Sequence, residues 1–355
     1  MSFLKKGYED LWKSIIRPPR DSYSISDLGP AEFEIKGKIY KRTDLQVKNH
    51  RNLTLECSFF EPADDYRVAE KLPCVIYLHG NCSSRIEALP GVQCLLPDNI
   101  TVFSFDMAGS GLSQGEYISL GWYERDDIDC VVEYLRNSGK VSCIGLWGRS
   151  MGAVTALLHI DRDPSIAGAV LDSPFANLRQ LAEELAKSYT KVPNFILSSV
   201  MYFVKKTIKK KAGFNIEDLN PLDHVDKSFI PVQFIAAKDD NFILPAHTER
   251  LHELYAGEKC LKIVEGDHNS MRPEYVMNGI TIFFHYCLQC ELLPSNPPKK
   301  PSRKVPKFNS SNKMFEQALL FQNNIMNEEE MLAQAIQESL KLNESNEKSL
   351  SGENK

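Results

Sequence analysis

The sequence predicts an α/β protein: a doubly wound, mostly parallel sheet of about eight strands with helices on both faces. Three observations carry that expectation. Short apolar strand-like runs recur, helix-like stretches alternate with them through the first 290 residues, and 43% of the 355 residues are hydrophobic, enough to fill one large core.

Each element follows from its local pattern. Residues 1–30 read as an N-terminal extension. Its opening, Met1-Ser2-Phe3-Leu4-Lys5-Lys6, lacks the apolar stretch of a secretory leader, and Ser2 stands where myristoylation needs glycine. Residues 31–290 read as the main domain. Within it, 32–48 and 52–61 alternate polar and apolar, as half-buried strands at a sheet edge do. Six short apolar runs follow, at 74–78, 101–105, 142–147, 167–171, 232–236 and 261–264, as expected of parallel strands covered on both faces. Helical patterns over 126–137 and 153–160 link successive strands. Segment 176–230 interrupts the alternation with two further helical patterns, 178–189 and 195–211, and is a candidate lid. The second pattern ends in Lys205, Lys206, Lys209, Lys210 and Lys211, behind an apolar face holding Phe195, Val200 and Phe203. If that face packs on the core, the lysines complement the helix dipole. The competing reading lays the helix on an anionic membrane surface.

Beyond Cys290 the composition changes. Residues 291–312 are rich in proline and lysine and read as an extended linker with almost nothing to bury. Residues 313–345 are helix-forming, and 346–355 are polar and read as disordered.

Composition also narrows function. A net charge of -5 argues against general nucleic-acid binding. The cysteines number 9, odd and without a paired framework, which suits reduced thiols in a cytoplasmic compartment. Cys287 and Cys290 make a Cys-x-x-Cys with no second pair to complete a zinc site. No run approaches the roughly 20 apolar residues of a membrane span. The expectation is a soluble cytoplasmic protein, peripheral to membranes at most.

The chemistry begins at Gly148-Arg149-Ser150-Met151-Gly152, which fits the nucleophile-elbow pattern G-x-S-x-G. Gly111-Leu112-Ser113-Gln114-Gly115 fits it too. Context separates them: Ser150 sits between a strand pattern and a helix pattern, whereas Ser113 lies in a glycine-rich loop. A serine hydroxyl needs a positioned base. In the turn after the last strand, Glu265-Gly266-Asp267-His268, that base is His268; His247, His252 and His285 lie in apparent helices and read as solvated or packed. The acid belongs after the preceding strand, where Asp239 and Asp240 adjoin. Spacing favours Asp240, with Asp172, after an earlier strand, as a further alternative. For the developing oxyanion, the N–H of Met151 opens the following helix, and the loop Leu78-His79-Gly80-Asn81 offers the N–H of Asn81 or Cys82. His79 reads as ordering that loop.

Leu78 to Asn81, Asp106 to Ser113, Leu146 to Gly152, Leu171 to Phe175 and Glu265 to Asn269 together resemble the α/β-hydrolases, and within them the serine aminopeptidase-like group with a His-Gly-Asn oxyanion loop. The resemblance covers residues 30–290 and implies acyl transfer without metal or organic cofactor. Ala237 departs from the glycine common before the acid. Because the family includes esterases, thioesterases, lipases and peptidases, it does not fix a substrate.

Residues 328–342, from Glu328-Glu329-Glu330 through Ala335 to Ser339, resemble a ubiquitin-interacting motif. Leu332, Ala335, Ile336 and Ser339 fall on one helical stripe, and the small alanine would let a partner surface approach. The resemblance implies weak ubiquitin binding. The competing reading is an amphipathic helix that docks back on the domain or self-associates.

The functional expectation is a serine hydrolase that cleaves a carboxylic ester, thioester or amide through an acyl-enzyme at Ser150. Its substrate would be a small molecule or an acyl-protein, with esterase or thioesterase favoured over aminopeptidase. The alternative is a ubiquitin-binding adaptor on a catalytically weak hydrolase scaffold.

Overall fold

A computed structural model describes residues 2–189, 194–294 and 304–308. The chain opens with helix α1 (Ser2–Ile16). The strands are β1 (Glu32–Ile35), β2 (Lys38–Lys48), β3 (Thr54–Pro62), β4 (Leu72–Leu78), β5 (Thr101–Phe105), β6 (Val141–Arg149), β7 (Gly168–Asp172), β8 (Val232–Ala237) and β9 (Lys259–Val264). The remaining helices are α2 (Leu89–Leu95), α3 (Glu124–Asn137), α4 (Met151–Ile160), α5 (Leu178–Tyr189), α6 (Asn194–Ala212), α7 (Pro245–Leu254) and α8 (Glu274–Cys287).

Among the described residues the strands form one 9-stranded sheet, ordered β1-β2-β3-β5-β4-β6-β7-β8-β9. The first three pair antiparallel and the rest parallel. This corrects the expected eight. Residues 32–48 are two strands, because Lys36 and Gly37 both take left-handed backbone, φ 48° and 80°, and close a tight hairpin between them. Strand β9 is also corrected: it is the outer edge, and only Val264 of it is buried.

Alternation along β4 shows how the core divides. Cys74, Ile76 and Leu78 join Val131, Leu157 and Leu251 of α3, α4 and α7 on one face. Val75 and Tyr77 join Val92, Ile280 and Phe284 of α2 and α8 on the other.

A third cluster forms a cap. Leu11, Trp12 and Ile16 of α1 pack with Leu181 and Leu185 of α5, Val204 and Ile208 of α6, and Ile243. The N-terminal segment is therefore built into the fold: the Tyr8 hydroxyl donates to the Phe203 carbonyl at 2.8 Å, and the Ile118 N–H to the Ile16 carbonyl at 2.9 Å. The apolar face expected of α6 is also revised. Val204 and Ile208 turn inward while Phe203 is 57% exposed; the side chains of Phe195 and Val200 lie outside the description.

The linker has one anchored stretch. Glu34 and Lys307 form a parallel bridge, in which the Glu34 N–H donates to the Pro306 carbonyl and the Phe308 N–H to the Glu34 carbonyl, each at 2.9 Å. Phe308 is buried with its ring centroid 4.3 Å from that of Phe33. This stretch buries an aromatic, where the reading of 291–312 left almost nothing to bury. The expected C-terminal helix at 313–345, the ubiquitin-type motif at 328–342, the tail at 346–355 and most of 291–312 lie outside the described residues. Among the described residues no helix is long and apolar enough to cross a membrane. All 9 cysteines are free thiols.

Candidate active site

β6 runs straight into Ser150, and α4 leaves it. Ser150 itself takes φ 52°, ψ -118°, a region that disfavours side chains and costs about 1–3 kcal/mol. The surrounding backbone imposes it: the Ser150 N–H donates to the Asp172 carbonyl at 2.8 Å. Flanking glycines are required because no Cβ fits. One on Gly148 would stand 2.2 Å from the Gly152 carbonyl oxygen, and one on Gly152 would stand 2.0 Å from that of Leu78. The turn thus presents the hydroxyl at the carboxyl end of the parallel strands.

Two loops at that same end bring in the partners. His268, after β9, places Nε2 3.1 Å from Ser150 Oγ and Nδ1 2.6 Å from Asp240 Oδ2. Asp240, after β8, accepts the N–H groups of Phe242 and Ile243 on Oδ1, at 3.0 and 2.7 Å. With Oδ1 occupied, Oδ2 is the oxygen left for the imidazole. A carboxylate there holds the proton on Nδ1 and leaves Nε2 as the acceptor facing the serine. All three side chains are buried, and the Phe242 ring lies 5.2 Å from the imidazole.

The alternatives lie elsewhere. The Asp239 side chain is exposed, and its N–H donates to the Gly266 carbonyl at 3.0 Å. Asp172 faces Arg272, which donates from Nε and Nη2 at 2.8 Å each. Burial opposes the charge on Asp172, but the guanidinium outweighs it and holds the carboxyl below its usual range. Ser113 is buried, donating to the Asp106 carbonyl at 2.6 Å and accepting the Glu56 N–H at 2.8 Å. His247 is packed: Nδ1 accepts the Ala176 N–H at 3.1 Å, and Nε2 lies 2.7 Å from Glu184 on α5.

Met151 opens α4 directly after the serine. The loop after β4 comes against the same point, since a Cβ on Gly80 would be 3.7 Å from Ser150 Cβ. His79 orders this loop. Its Nε2 accepts the Met107 N–H at 3.1 Å, so the proton sits on Nδ1, which donates to the Gly80 carbonyl at 2.7 Å. Asn81 follows, half-buried, before Cys82 turns the chain with φ 54°.

Sequence reasoning missed the brace beneath these loops. Glu87 accepts the Gly80 N–H and the Tyr77 hydroxyl, both at 3.0 Å, together with the Ser83 hydroxyl. Arg149 lies 3.7 Å from Glu87 and donates from Nη2 to the His268 carbonyl at 2.7 Å. Arg149 fills the unrestricted position of the elbow pattern, and no spacing rule singles out Glu87.

Comparison with known proteins bears on the fold that carries this arrangement. A family model described as serine aminopeptidase, S33, matches residues 69–218. One described as PhoPQ-activated pathogenicity-related protein matches residues 155–322. The esterase Pf2001 of Pyrococcus furiosus superposes with a TM-score of 0.58 at 23% identity, over 77% of this chain and 100% of that one. The chain has the α/β-hydrolase fold.

Further proteins are similar to the chain. Est1E of Butyrivibrio proteoclasticus, solved with ferulic acid bound, gives a TM-score of 0.53 at 18% identity, covering 69% of this chain and 99% of its own. Among curated sequences, YqkD of Bacillus subtilis (strain 168) is 35% identical over 56% of this chain and 65% of its own length. ABHD12B of Homo sapiens is 24% identical over 59% and 57% respectively. The chain thus spans somewhat under two thirds of the length of both curated relatives.

Proposed function

We propose that the chain is a serine hydrolase that opens a carboxylic ester, thioester or amide through an acyl-enzyme on Ser150. The observation that carries this reading is the hydrogen-bonded series Asp240–His268–Ser150 on a strained elbow. In the first step Ser150 Oγ attacks the acyl carbon while His268 Nε2 takes the hydroxyl proton, and Asp240 stabilises the imidazolium. The N–H groups of Met151 and Asn81 receive the oxyanion, aided by the positive end of α4. The imidazolium then protonates the leaving group. Water, deprotonated by the same Nε2, attacks the acyl-serine and releases the acid.

Ester or thioester substrates are favoured over aminopeptide ones. An aminopeptidase needs a carboxylate for the substrate ammonium, and the acids beside the elbow, Glu87 and Asp172, already face Arg149 and Arg272. The free cysteines support a reducing, cytoplasmic setting. A fluorophosphonate probe tests the chemistry: it should label the wild type and spare Ser150→Ala. A folded wild type that stays unlabelled would end this reading.

The tail adds a partner to the proposal. The stripe Leu332, Ala335, Ile336 and Ser339 supports weak ubiquitin binding, with the small Ala335 admitting the partner surface. Titrating isotope-labelled ubiquitin with the full chain should move ubiquitin signals, and Ala335→Gln should abolish the movement.

A further inference from the structure

The cap carries a surface that hydrolysis does not use. Residues 194–203 of α6 bear no charge, and its second half is dense in lysine. Val204 and Ile208 enter the cap core, so the opposite stripe of the helix turns outward. On that stripe Tyr202 and Phe203 are 62% and 57% exposed, their rings packed edge-on with centroids 5.5 Å apart. Lys206, Lys209 and Lys210 are exposed beside them.

The flanking lysines serve the fold. Lys205 pairs with Glu217, and Lys211 lies over the Trp12 ring, 4.5 Å from its centroid. Lys206, Lys209 and Lys210 form no ion pair among the described residues. A cluster of unneutralised cations thus stands out on a chain whose net charge is -5. Complementing the helix dipole accounts for lysines in the last turn, but not for a neighbouring pair of aromatics held out of the core.

We propose that this face of α6 docks on a lipid bilayer bearing anionic headgroups. The helix would lie in the interface plane, with Tyr202 and Phe203 at headgroup depth, where rings with an apolar body are favoured. Lys206, Lys209 and Lys210 would supply the attraction to the anionic surface, at roughly fivefold in partitioning per lysine. The docking is independent of the chemistry at Ser150.

Flotation of the full chain with phosphatidylcholine vesicles, with and without phosphatidylserine, tests the proposal. Binding should require phosphatidylserine and weaken with salt. The variant Lys206→Gln/Lys209→Gln/Lys210→Gln should bind about a hundredfold less tightly, and Tyr202→Ser/Phe203→Ser should also lose binding. Helix content by circular dichroism checks that each variant is folded. The proposal falls if the wild type ignores vesicles or binds both kinds equally. It also falls if the lysine variant binds as well as wild type while neutralising Lys299, Lys300, Arg303 and Lys304 abolishes binding. A dimer dispersed by Tyr202→Ser would assign the face to a second copy and likewise overturn it.

Discussion

Arg149 donates from its guanidinium to the backbone carbonyl of His268 at 2.7 Å, so the residue before Ser150 holds the loop that carries the imidazole. The same side chain lies 3.7 Å from Glu87, which anchors the loop after β4 through the Gly80 N–H. One cation therefore ties together the two loops that flank the serine. Arg149→Met should slow acylation by a p-nitrophenyl ester about 10–100-fold with KM little changed, because the groups remain but lose their alignment. Single-turnover kinetics would measure it; an unaltered acylation rate would refute the brace.

The two neighbouring aspartates should separate cleanly. Asp240→Asn removes the carboxylate that fixes the imidazole tautomer, and turnover should fall by about 10⁴-fold. Asp239 is exposed, and Asp239→Asn should leave turnover as it is. Steady-state assays of both variants give the contrast.

At the elbow, the backbone leaves no room for a methyl group. Gly152→Ala would push a Cβ to 2.0 Å from the Leu78 carbonyl oxygen, and the strand and helix cannot part without breaking the sheet core. The loss should be about 4 kcal/mol or more by urea denaturation. The neighbouring Ala153→Gly, which removes one buried methyl group in the first turn of α4, should cost only about 1 kcal/mol.

Asp172 and Arg272 form an ion pair whose side chains are 3% and 6% exposed. Asp172→Asn strands the guanidinium and should destabilise the protein by about 3–5 kcal/mol at neutral pH. The sign with pH follows from the lowered carboxyl pKa. The pair contributes fully above 3.8, the ordinary value, and its contribution fades as pH falls below 3.8. Urea midpoints of wild type and variant should therefore converge in acid.

Phe308 fastens the linker to the sheet edge. Phe308→Asp should release it, and the Glu34 amide, which donates to the Pro306 carbonyl at 2.9 Å, should exchange its hydrogen faster. Amides of β6 in the sheet interior should keep their protection. Hydrogen-exchange mass spectrometry on the full chain reads both.

What was legible in the sequence was what has a local cause. The elbow needs glycines around a serine between a strand and a helix, and all of these stand together in the chain. His268 and Asp240 each follow an apolar run, so the places where they meet Ser150 could be counted along the chain. The hairpin at Lys36 and Gly37 was missed because lysine does not announce left-handed backbone. The exposure of β9 was missed because an edge position depends on sheet order and not on the strand's own residues. Arg149 was invisible for a related reason: its partners, the His268 carbonyl and Glu87, come from other loops and meet it only in the folded protein.

The packing of α1 against α6 bears on how the chain is made. Tyr8 bonds to a residue 195 positions later, so α1 leaves the ribosome and waits for its counterpart to be synthesised. At the usual pace of translation that delay is roughly 10–40 s. Throughout it Leu11, Trp12 and Ile16 have no partner from α6. The cap can close only after the nascent chain has passed α6, so the apolar face of α1 stays uncovered by α6 until late in biosynthesis.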